Sequence, residues 1–389
     1  MRRFAVYILY IIAGIYCFGQ TNSNLTYSIT AGYGYVARTN DFMRGENIDN
    51  KDINSVKNFA FEICKETDGS EQWHHFFKNL HYGAGFFHGW FNYSKNLGNP
   101  SGLYGFIGFM PVDTRHWFFR TDIALGISGI WDGYSRENYY NIAVSTPVEC
   151  YIHGRLALGY NVNGNWHLSL TGAFIHFSNG CIKRPNKGIN ILTPAIGVAY
   201  NPRQIIKTDF YTRVPFLKNS QRLITLYDAI KGNYVDYTKT VTPLTNDTIR
   251  DTIREVHWIF GMQYREVFAL SHTQNLGLGM DVSYNNVIDK TKGYNYKYPS
   301  ADNGFDLKKV TLSAFISYEY CINNLSFVME PMIYVYKPRK TYFTKFSQRI
   351  GLRYRIYKGF YYQLTLRAYQ FTKADYIEGG IGYRFKYSL

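Results

Sequence analysis

The chain has 389 residues, with 43 lysines and arginines against 28 acidic residues, and a formal net charge of +15. It is rich in tyrosine (37) and glycine (34), and its mean hydropathy of -0.27 would by itself suit a soluble protein. Beyond the N-terminus no run of residues is apolar for long enough to form a membrane helix. The five cysteines form no Cys-x-x-Cys pair, which argues against a metal or redox motif.

The first element in chain order is a predicted signal peptide over residues 1–19. Arg2 and Arg3 supply its positive charge, and the segment 4–18 is almost entirely apolar. Cleavage after Gly19 would leave a secreted mature chain. A retained membrane anchor is the alternative, although the apolar run is short for a span.

The rest of the chain, residues 20–389, alternates apolar and polar residues in segments separated by turns. This rhythm predicts strands at 25–36, 58–65, 82–92, 102–111, 115–127, 148–160, 164–178, 190–200, 205–213, 255–268, 275–286, 308–320, 324–336, 345–357, 360–371 and 376–388. The segments 58–65 and 205–213 are the weakest, and dropping them leaves fourteen. We therefore expect an all-β protein, one transmembrane antiparallel β-barrel of about 14 strands (12–16). A secreted β-sandwich or propeller is the alternative, because alternation alone does not separate these folds.

Loop lengths and strand faces support the barrel. Short connections such as 161–163 mostly alternate with long ones such as 128–147 and 214–254, as periplasmic turns and extracellular loops do. The strand 345–357 carries apolar residues on one face and arginines on the other. We interpret this as lipid outside and polar side chains inside, which either line a pore or fill a closed barrel with paired charges.

The excess of basic over acidic residues indicates which kinds of partner the protein could bind. Non-specific nucleic-acid binding is one interpretation of a pI of 9.3. A barrel in a bacterial envelope would rarely meet nucleic acid, whereas the outer leaflet of the outer membrane is polyanionic lipopolysaccharide. We therefore expect a lipopolysaccharide or membrane partner and no nucleic acid.

The run 174–190 contains a candidate hydrolytic pair. His176 and Ser178 lie two residues apart at the end of the strand 164–178, so both side chains point to one face. That face also carries Trp166, Leu168, Leu170 and Phe174. On the next strand Asn190 shares the apolar face of Leu192, Pro194, Ile196 and Val198. Parity therefore places His176, Ser178 and Asn190 together on the lipid-facing side, at the extracellular end.

These residue types fit ester hydrolysis. A serine hydroxyl is a poor nucleophile and needs a base within hydrogen-bond reach, here His176. Asn190 could orient the imidazole through its side-chain oxygen, as asparagine does in Cys-His-Asn hydrolases. The Asn179 and Asn186 amides, or backbone N–H groups near Gly180, could hold the oxyanion. The simpler alternative is that the pair consists of polar residues at the rim of a barrel.

The same run resembles the motif of the lipid A 3-O-deacylase family, outer-membrane β-barrel esterases also called acyloxyacyl hydrolases. The family pattern is His-x-Ser-Asn, then Pro-Asn, then an acid that orients the histidine, and the matching residues here are His176, Ser178, Asn179, Pro185 and Asn186. Four residues after the last of these, where the acid is expected, this chain has Asn190.

The resemblance covers roughly residues 80–200 and is dense only over 174–190. It implies an esterase in the outer membrane that removes the ester-linked acyl chain at the 3-position of lipid A. It implies no metal and no organic cofactor. A homodimer is left open, as is a disulfide between any of the cysteines.

Glu149 is a candidate for the acid that the family pattern expects. The preferred register of the preceding hairpin pairs Leu158 with Leu168, puts Cys150 opposite His176 and turns Glu149 toward the lumen. A slip by one residue would bring Glu149 to the catalytic face, so it stays a candidate.

The loop after the nucleophile is cationic, with Lys183, Arg184 and Lys187. These side chains could bind a phosphate of lipid A, or they could be solvated without a fixed partner. Two other functions stay open for the whole chain. One is a non-enzymatic barrel, either a pore or a catalytically silent relative, which the asparagine at position 190 motivates. The other is an esterase that acts on phospholipid.

Overall fold

In the described part of the chain, sixteen antiparallel strands form two closed barrels of eight. The computed structural model describes residues 25–135, 137–202, 215–216, 218–240, 248–286, 305–337, 345–370 and 373–387. The strands β1–β8 are Leu25–Val36, Ser55–Glu66, Leu80–Phe91, Gly98–Asp113, Trp117–Trp131, Glu149–Asn161, Trp166–Ser178 and Ile189–Tyr200. The strands β9–β16 are Ser220–Thr240, Thr248–Ala269, Gln274–Asn285, Val310–Ile322, Leu325–Tyr336, Phe346–Tyr357, Phe360–Tyr369 and Lys373–Tyr387. Each set closes on itself, β1 on β8 and β9 on β16.

Helical structure is minor. The described residues contain short 3-10 helices at Phe42–Arg44, Gln72–Phe76, Ser94–Asn96 and Leu307–Lys309. None of the helices in the described ranges is long and apolar enough to cross a membrane. The predicted signal peptide at 1–19 and the weak predicted strand at 205–213 lie outside the described residues.

The prediction of an all-β antiparallel barrel is confirmed, and the prediction of one barrel is wrong. A single barrel would require β8 to pair with β9, but β8 pairs with β1 and so closes the first sheet after eight strands. Eight strands enclose a space that side chains can just fill, and large inward-facing side chains fill it in each barrel. The chain also falls into two units along this division, with Gly180–Asn186 grouped with the second barrel.

The strand β9 lies within 214–254, where the sequence predicts a loop. Its inward residues Leu223 and Tyr227 are nearly as apolar as its outward residues Ile224 and Leu226. Because both faces mix apolar and polar residues, the period-2 contrast that marks a half-buried strand is weak here. The predicted strand 255–268 is the second part of β10, and the weak segment 58–65 is confirmed as part of β2.

The interior of the first barrel is filled at two levels. An apolar cluster fills the end where β7 finishes and β8 begins, and it includes Phe42 and Met43 from the loop after β1. Farther along the barrel, the Arg155 guanidinium bonds Glu62 and Asp122, at 2.8 Å in each case. Burying these charges is tolerable only because they are paired and hydrogen-bonded.

The interior of the second barrel is a network of buried ion pairs. Arg349 contacts Asp281 at 2.7 Å and Glu330 at 2.8 Å, and Arg367 contacts Asp281 at 2.8 Å. All four of these side chains are at most 1% exposed. The arginines predicted on the inner face of 345–357 therefore fill a closed barrel with paired charges, rather than line a pore constriction. Apolar residues cover the outside, as in barrels that face lipid.

Candidate active site

Three side chains on β7 and β8 form a hydrogen-bonded chain. His176 lies directly opposite Asn190 in the β7–β8 ladder. Its Nδ1 is 2.6 Å from the Asn190 Oδ1, and its Nε2 is 3.0 Å from the Ser178 Oγ. An amide oxygen only accepts, so the Nδ1 carries the hydrogen and the Nε2 keeps its lone pair for the serine hydroxyl. The predicted convergence of these three residues is confirmed; their catalytic roles stay a prediction.

Phe177, the inward-facing residue between His176 and Ser178, anchors this part of β7. Phe177 is fully buried, and its ring packs edge-on against Trp131 at a centroid distance of 4.9 Å and against Tyr151 at 5.4 Å. A strand whose inner residue is held in this way presents its neighbours outward at fixed positions. His176 and Ser178 are thus preorganised by the apolar plug behind them.

The outward face around the chain is apolar. His176, Ser178 and Asn190 are partly exposed, while Phe174 and Leu192 on the same face are 52% and 58% exposed. The predicted placement of the three residues on the apolar outer side of neighbouring strands is therefore confirmed. A molecule that reaches them comes along the outer wall of the barrel and not through its lumen.

The register of the preceding hairpin differs from the preferred one by two residues. Leu158 pairs with Leu170, and Cys150 faces Ser178 rather than His176. The difference arises because the turn spans 162–165, where Asn163 accepts backbone hydrogen bonds from Asn165 and Trp166. The two-residue shift preserves parity, so Glu149 still points inward.

Glu149 is therefore not the acid of the triad. It is 1% exposed, and its Oε1 accepts hydrogen bonds from the backbone N–H and hydroxyl of Thr146. The slip that would have brought it to the catalytic face does not occur. On the described residues, the group that meets the Nδ1 of His176 is the amide of Asn190.

Asn179 takes a different position from the one predicted. Its side chain is buried, and its Nδ2 donates to the Ser145 hydroxyl at 3.0 Å and the Thr146 hydroxyl at 3.3 Å. An amide used in this way ties the end of β7 to the 145–146 loop. The prediction that this amide donates to an oxyanion is corrected accordingly, because the alternation along the chain turns residue 179 inward.

Lys183, Arg184 and Asn186 lie in the segment Gly180–Asn186, which groups with the second barrel. Their roles in phosphate and oxyanion binding stay predictions. Lys187 belongs to the first unit, where its side chain is exposed and its backbone N–H donates to the Ile142 carbonyl at 3.1 Å.

Gly188 is a site residue that the sequence analysis missed. It has a φ of +72°, and a Cβ atom there would lie 3.0 Å from the Cε1 of His176. Its N–H donates to the Ala143 carbonyl at 3.0 Å, so the 141–144 loop holds it against the imidazole. A glycine after a basic loop gives too weak a sequence signal to assign this role, because the pattern does not show which side chain it touches.

Comparisons with known proteins place both halves of the chain in related families. Residues 65–199 match the family model described as "Lipid A 3-O-deacylase (PagL)". Residues 233–387 match the model described as "Acyloxyacyl hydrolase, C-terminal domain". The first match includes His176, Ser178 and Asn190. No curated protein matches the chain.

Solved structures similar to the chain are barrels of low sequence identity. The NanC porin is 8% identical, with coverage of 92% of this chain and 100% of that one and a TM-score of 0.15. A Rhodopseudomonas blastica porin variant is 9% identical, with coverage of 93% and 99% and a TM-score of 0.17. The Pseudomonas putida toluene transporter TodX is 9% identical, with coverage of 95% and 90% and a TM-score of 0.18.

Proposed function

Because the chain belongs to the lipid A 3-O-deacylase family of outer-membrane hydrolases, we propose that it cleaves the ester-linked acyl chain at the 3-position of lipid A. Ser178 is the nucleophile, His176 the general base and Asn190 the group that orients the imidazole. The observation that carries the proposal is the Asn190–His176–Ser178 hydrogen-bond chain on the outer wall of the barrel. The outer membrane is the compartment in which this wall faces lipid.

The reaction follows from the positions of the hydrogens. The Ser178 Oγ attacks the ester carbonyl while its proton passes to the His176 Nε2. The Asn190 Oδ1 keeps the other hydrogen on Nδ1, so the ring is in the tautomer that can accept this proton. The imidazolium then gives the proton to the departing sugar hydroxyl, which leaves the acyl group on Ser178. Water, activated by the same Nε2, releases the fatty acid and restores the serine.

The loop that follows Ser178 contains candidates for the other groups that the proposed reaction needs. Backbone N–H groups near Gly180, together with the Asn186 amide, are candidates to hold the negative oxygen of the tetrahedral intermediate. Lys183, Arg184 and Lys187 are candidates to bind a phosphate of the lipid A headgroup. Cationic groups in the loop and apolar residues on the outer face of β7 and β8 would suit the two parts of the substrate, a phosphorylated sugar and its acyl chains.

A defined lipid assay tests the substrate. The purified full-length chain, refolded in an uncharged detergent, is incubated with hexa-acylated lipid A or with phosphatidylethanolamine, and products are measured by mass spectrometry. We expect lipid A to lose the mass of one hydroxyacyl chain and the phospholipid to stay intact. Release of fatty acid from the phospholipid alone would replace lipid A with phospholipid as the substrate. No product from either lipid would contradict the proposed activity.

Cys150 gives a test of the site that does not alter the proposed catalytic residues. This free thiol is the cross-strand partner of Ser178, and side chains so paired lie within about 5.5 Å of each other at Cβ. Alkylation with N-ethylmaleimide should therefore block access to Ser178 and lower activity at least about tenfold. The Cys150→Ala variant should keep its activity under the same treatment, although Cys181 and Cys321 remain. Full activity of protein with alkylated Cys150 would contradict the placement of the site.

Gly188 gives a second test. In Gly188→Ala the added methyl group would contact the His176 ring in a backbone conformation that alanine rarely adopts. Because a misplacement of about 1 Å can cost about 10²-fold in rate, we expect kcat to fall ten- to hundredfold with little change in KM. Gly172→Ala on β7, the strand that carries His176, is the control, since a Cβ there meets nothing within 4 Å. A Gly188→Ala protein with the activity of this control would refute the positioning role.

A further inference from the structure

The second barrel has a cavity at its short-turn end. We call it the turn-end cavity; it has a volume of about 340 Å³ and lies within the second unit. Residues from the turns 270–273, 323–324 and 358–359 surround it, so it opens at the end where the connections are shortest. Short turns of outer-membrane barrels lie on the periplasmic side. The residues around the cavity thus come from other strands and from a later part of the sequence than the proposed active site on β7 and β8.

The charges around the cavity are unequal. In the described part of the second barrel, four buried arginines and Lys231 are matched by five buried carboxylates. Arg355 and Arg384, which line the cavity, come in addition to this balanced interior. The mouth of the cavity therefore has an excess of two positive charges over the balanced charges of the interior.

The hydrogen bonds at the mouth do not remove this excess. The nearest carboxylate to Arg384 is Glu319 at 3.5 Å, and Glu319 is also bound by the buried Arg353 and by the Asn275 amide at 3.2 Å. The Arg355 Nε donates at 2.9 Å to the side-chain oxygen of Asn324, which is neutral. One carboxylate thus serves two guanidinium groups, and a third has an amide partner.

The remaining lining combines amide and aromatic side chains. Amide side chains of Asn219, Gln221, Asn275, Asn323 and Asn324 contribute donors and acceptors. Phe216 and His272 pack edge-on at a centroid distance of 5.3 Å and form an aromatic part of the wall. This lining suits a small anionic group that several donors can reach at once.

We propose that the turn-end cavity binds a phosphate group, with Arg355 and Arg384 as its principal ligands. Guanidinium groups match phosphate oxygens through paired N–H donors, and such charge-assisted bonds are stronger than neutral ones. The phosphate comes either from inorganic phosphate in the periplasm or from the phosphodiester headgroup of an inner-leaflet lipid. Both sources present the same anionic oxygens to the two arginines.

Calorimetry on the refolded full-length chain in uncharged detergent tests the site, at constant ionic strength. The probes are inorganic phosphate and glycerophosphoglycerol, a lipid headgroup without its acyl chains. We expect saturable binding with a Kd of about 1 mM or below for at least one of them. Tighter binding of inorganic phosphate identifies free phosphate as the ligand, and tighter binding of the diester identifies a headgroup. No saturable heat with either probe overturns the proposal.

Variants distinguish this site from the cationic loop of the proposed active site. The Arg355→Gln/Arg384→Gln protein should bind at least about tenfold more weakly, because each charged hydrogen bond is worth about a factor of ten. Arg222→Gln is the control at the same end, since this arginine is exposed and pairs with Glu266 at 3.4 Å. Heat-modifiable migration on gels shows that each variant is folded. Unchanged binding in the double variant overturns the proposal.

A variant of the cationic loop tests whether the phosphate binds there instead of in the turn-end cavity. Lys183→Gln/Arg184→Gln/Lys187→Gln removes the cationic loop and leaves the turn-end cavity intact. We expect it to bind phosphate as the unmodified chain does. If instead this variant loses the binding, the phosphate site is in the loop and the cavity proposal fails.

Discussion

Replacing Ser178 with alanine should lower acyl release from lipid A by about 10⁴-fold or more. The variant removes the oxygen that we propose as the nucleophile, while the His176–Asn190 bond and the apolar plug behind β7 stay in place. Removing a member of a hydrolytic triad leaves only the catalysis that comes from substrate binding and oxyanion stabilisation. The loss should appear in kcat rather than KM, because the hydroxyl is needed for the reaction and not for holding the lipid.

The measurement is lipid A mass spectrometry, both on cells that express each protein and on purified protein with defined substrate. Ser169→Ala is the matched control, because Ser169 lies on the same strand but on its inward side. Both variants should show the heat-modifiable migration of a folded barrel. Activity of Ser178→Ala near that of Ser169→Ala would contradict Ser178 as the nucleophile. A wild-type chain without activity would instead indicate a catalytically silent relative.

The location of this site could be predicted from the sequence because parity along a strand is local information. Residues i and i+2 share a face whatever the sheet does elsewhere, and the apolar positions on β7 and β8 identify which face is outside. The convergence of His176, Ser178 and Asn190 needed only this rule and one hairpin. The register error at Cys150 shows the limit, because a two-residue shift keeps every face and so leaves no trace in the alternation.

The closure of the barrels could not be predicted in the same way. Whether β8 pairs with β1 or with β9 depends on contacts between residues far apart in the chain, and the faces of both strands fit either choice. The buried pairs of Arg349 and Arg367 show how the interior of the second barrel is filled. Long charged side chains fill an eight-stranded interior, whereas a wider barrel would leave them in water. Gly188 escaped prediction for a related reason, since its role depends on a side chain across the ladder.

Changing Asn190 should have the second large effect, with opposite signs for two substitutions. In Asn190→Leu, whose side chain has the same branching and no polar atom, the Nδ1 of His176 loses its acceptor. The ring can then rotate or adopt the other tautomer, and we expect kcat to fall about 10²- to 10⁴-fold. In Asn190→Asp, a carboxylate replaces the amide oxygen now 2.6 Å from Nδ1.

The aspartate should raise kcat by about tenfold or more, because a hydrogen bond between charged partners is stronger than one to a neutral amide. The gain appears in the transition state, where His176 carries the proton from Ser178 and becomes positive. An amide oxygen orients the ring but offsets little of this charge. The Asn190–His176–Ser178 chain thus has the hydrogen bonds of a triad, with an amide in the place of the carboxylate. Steady-state hydrolysis of lipid A by the three proteins measures the effect. Equal rates for Asn190→Leu and the natural chain would show that the 2.6 Å contact does not contribute to catalysis. A chain that is silent with asparagine and active with aspartate would show that position 190 sets the activity.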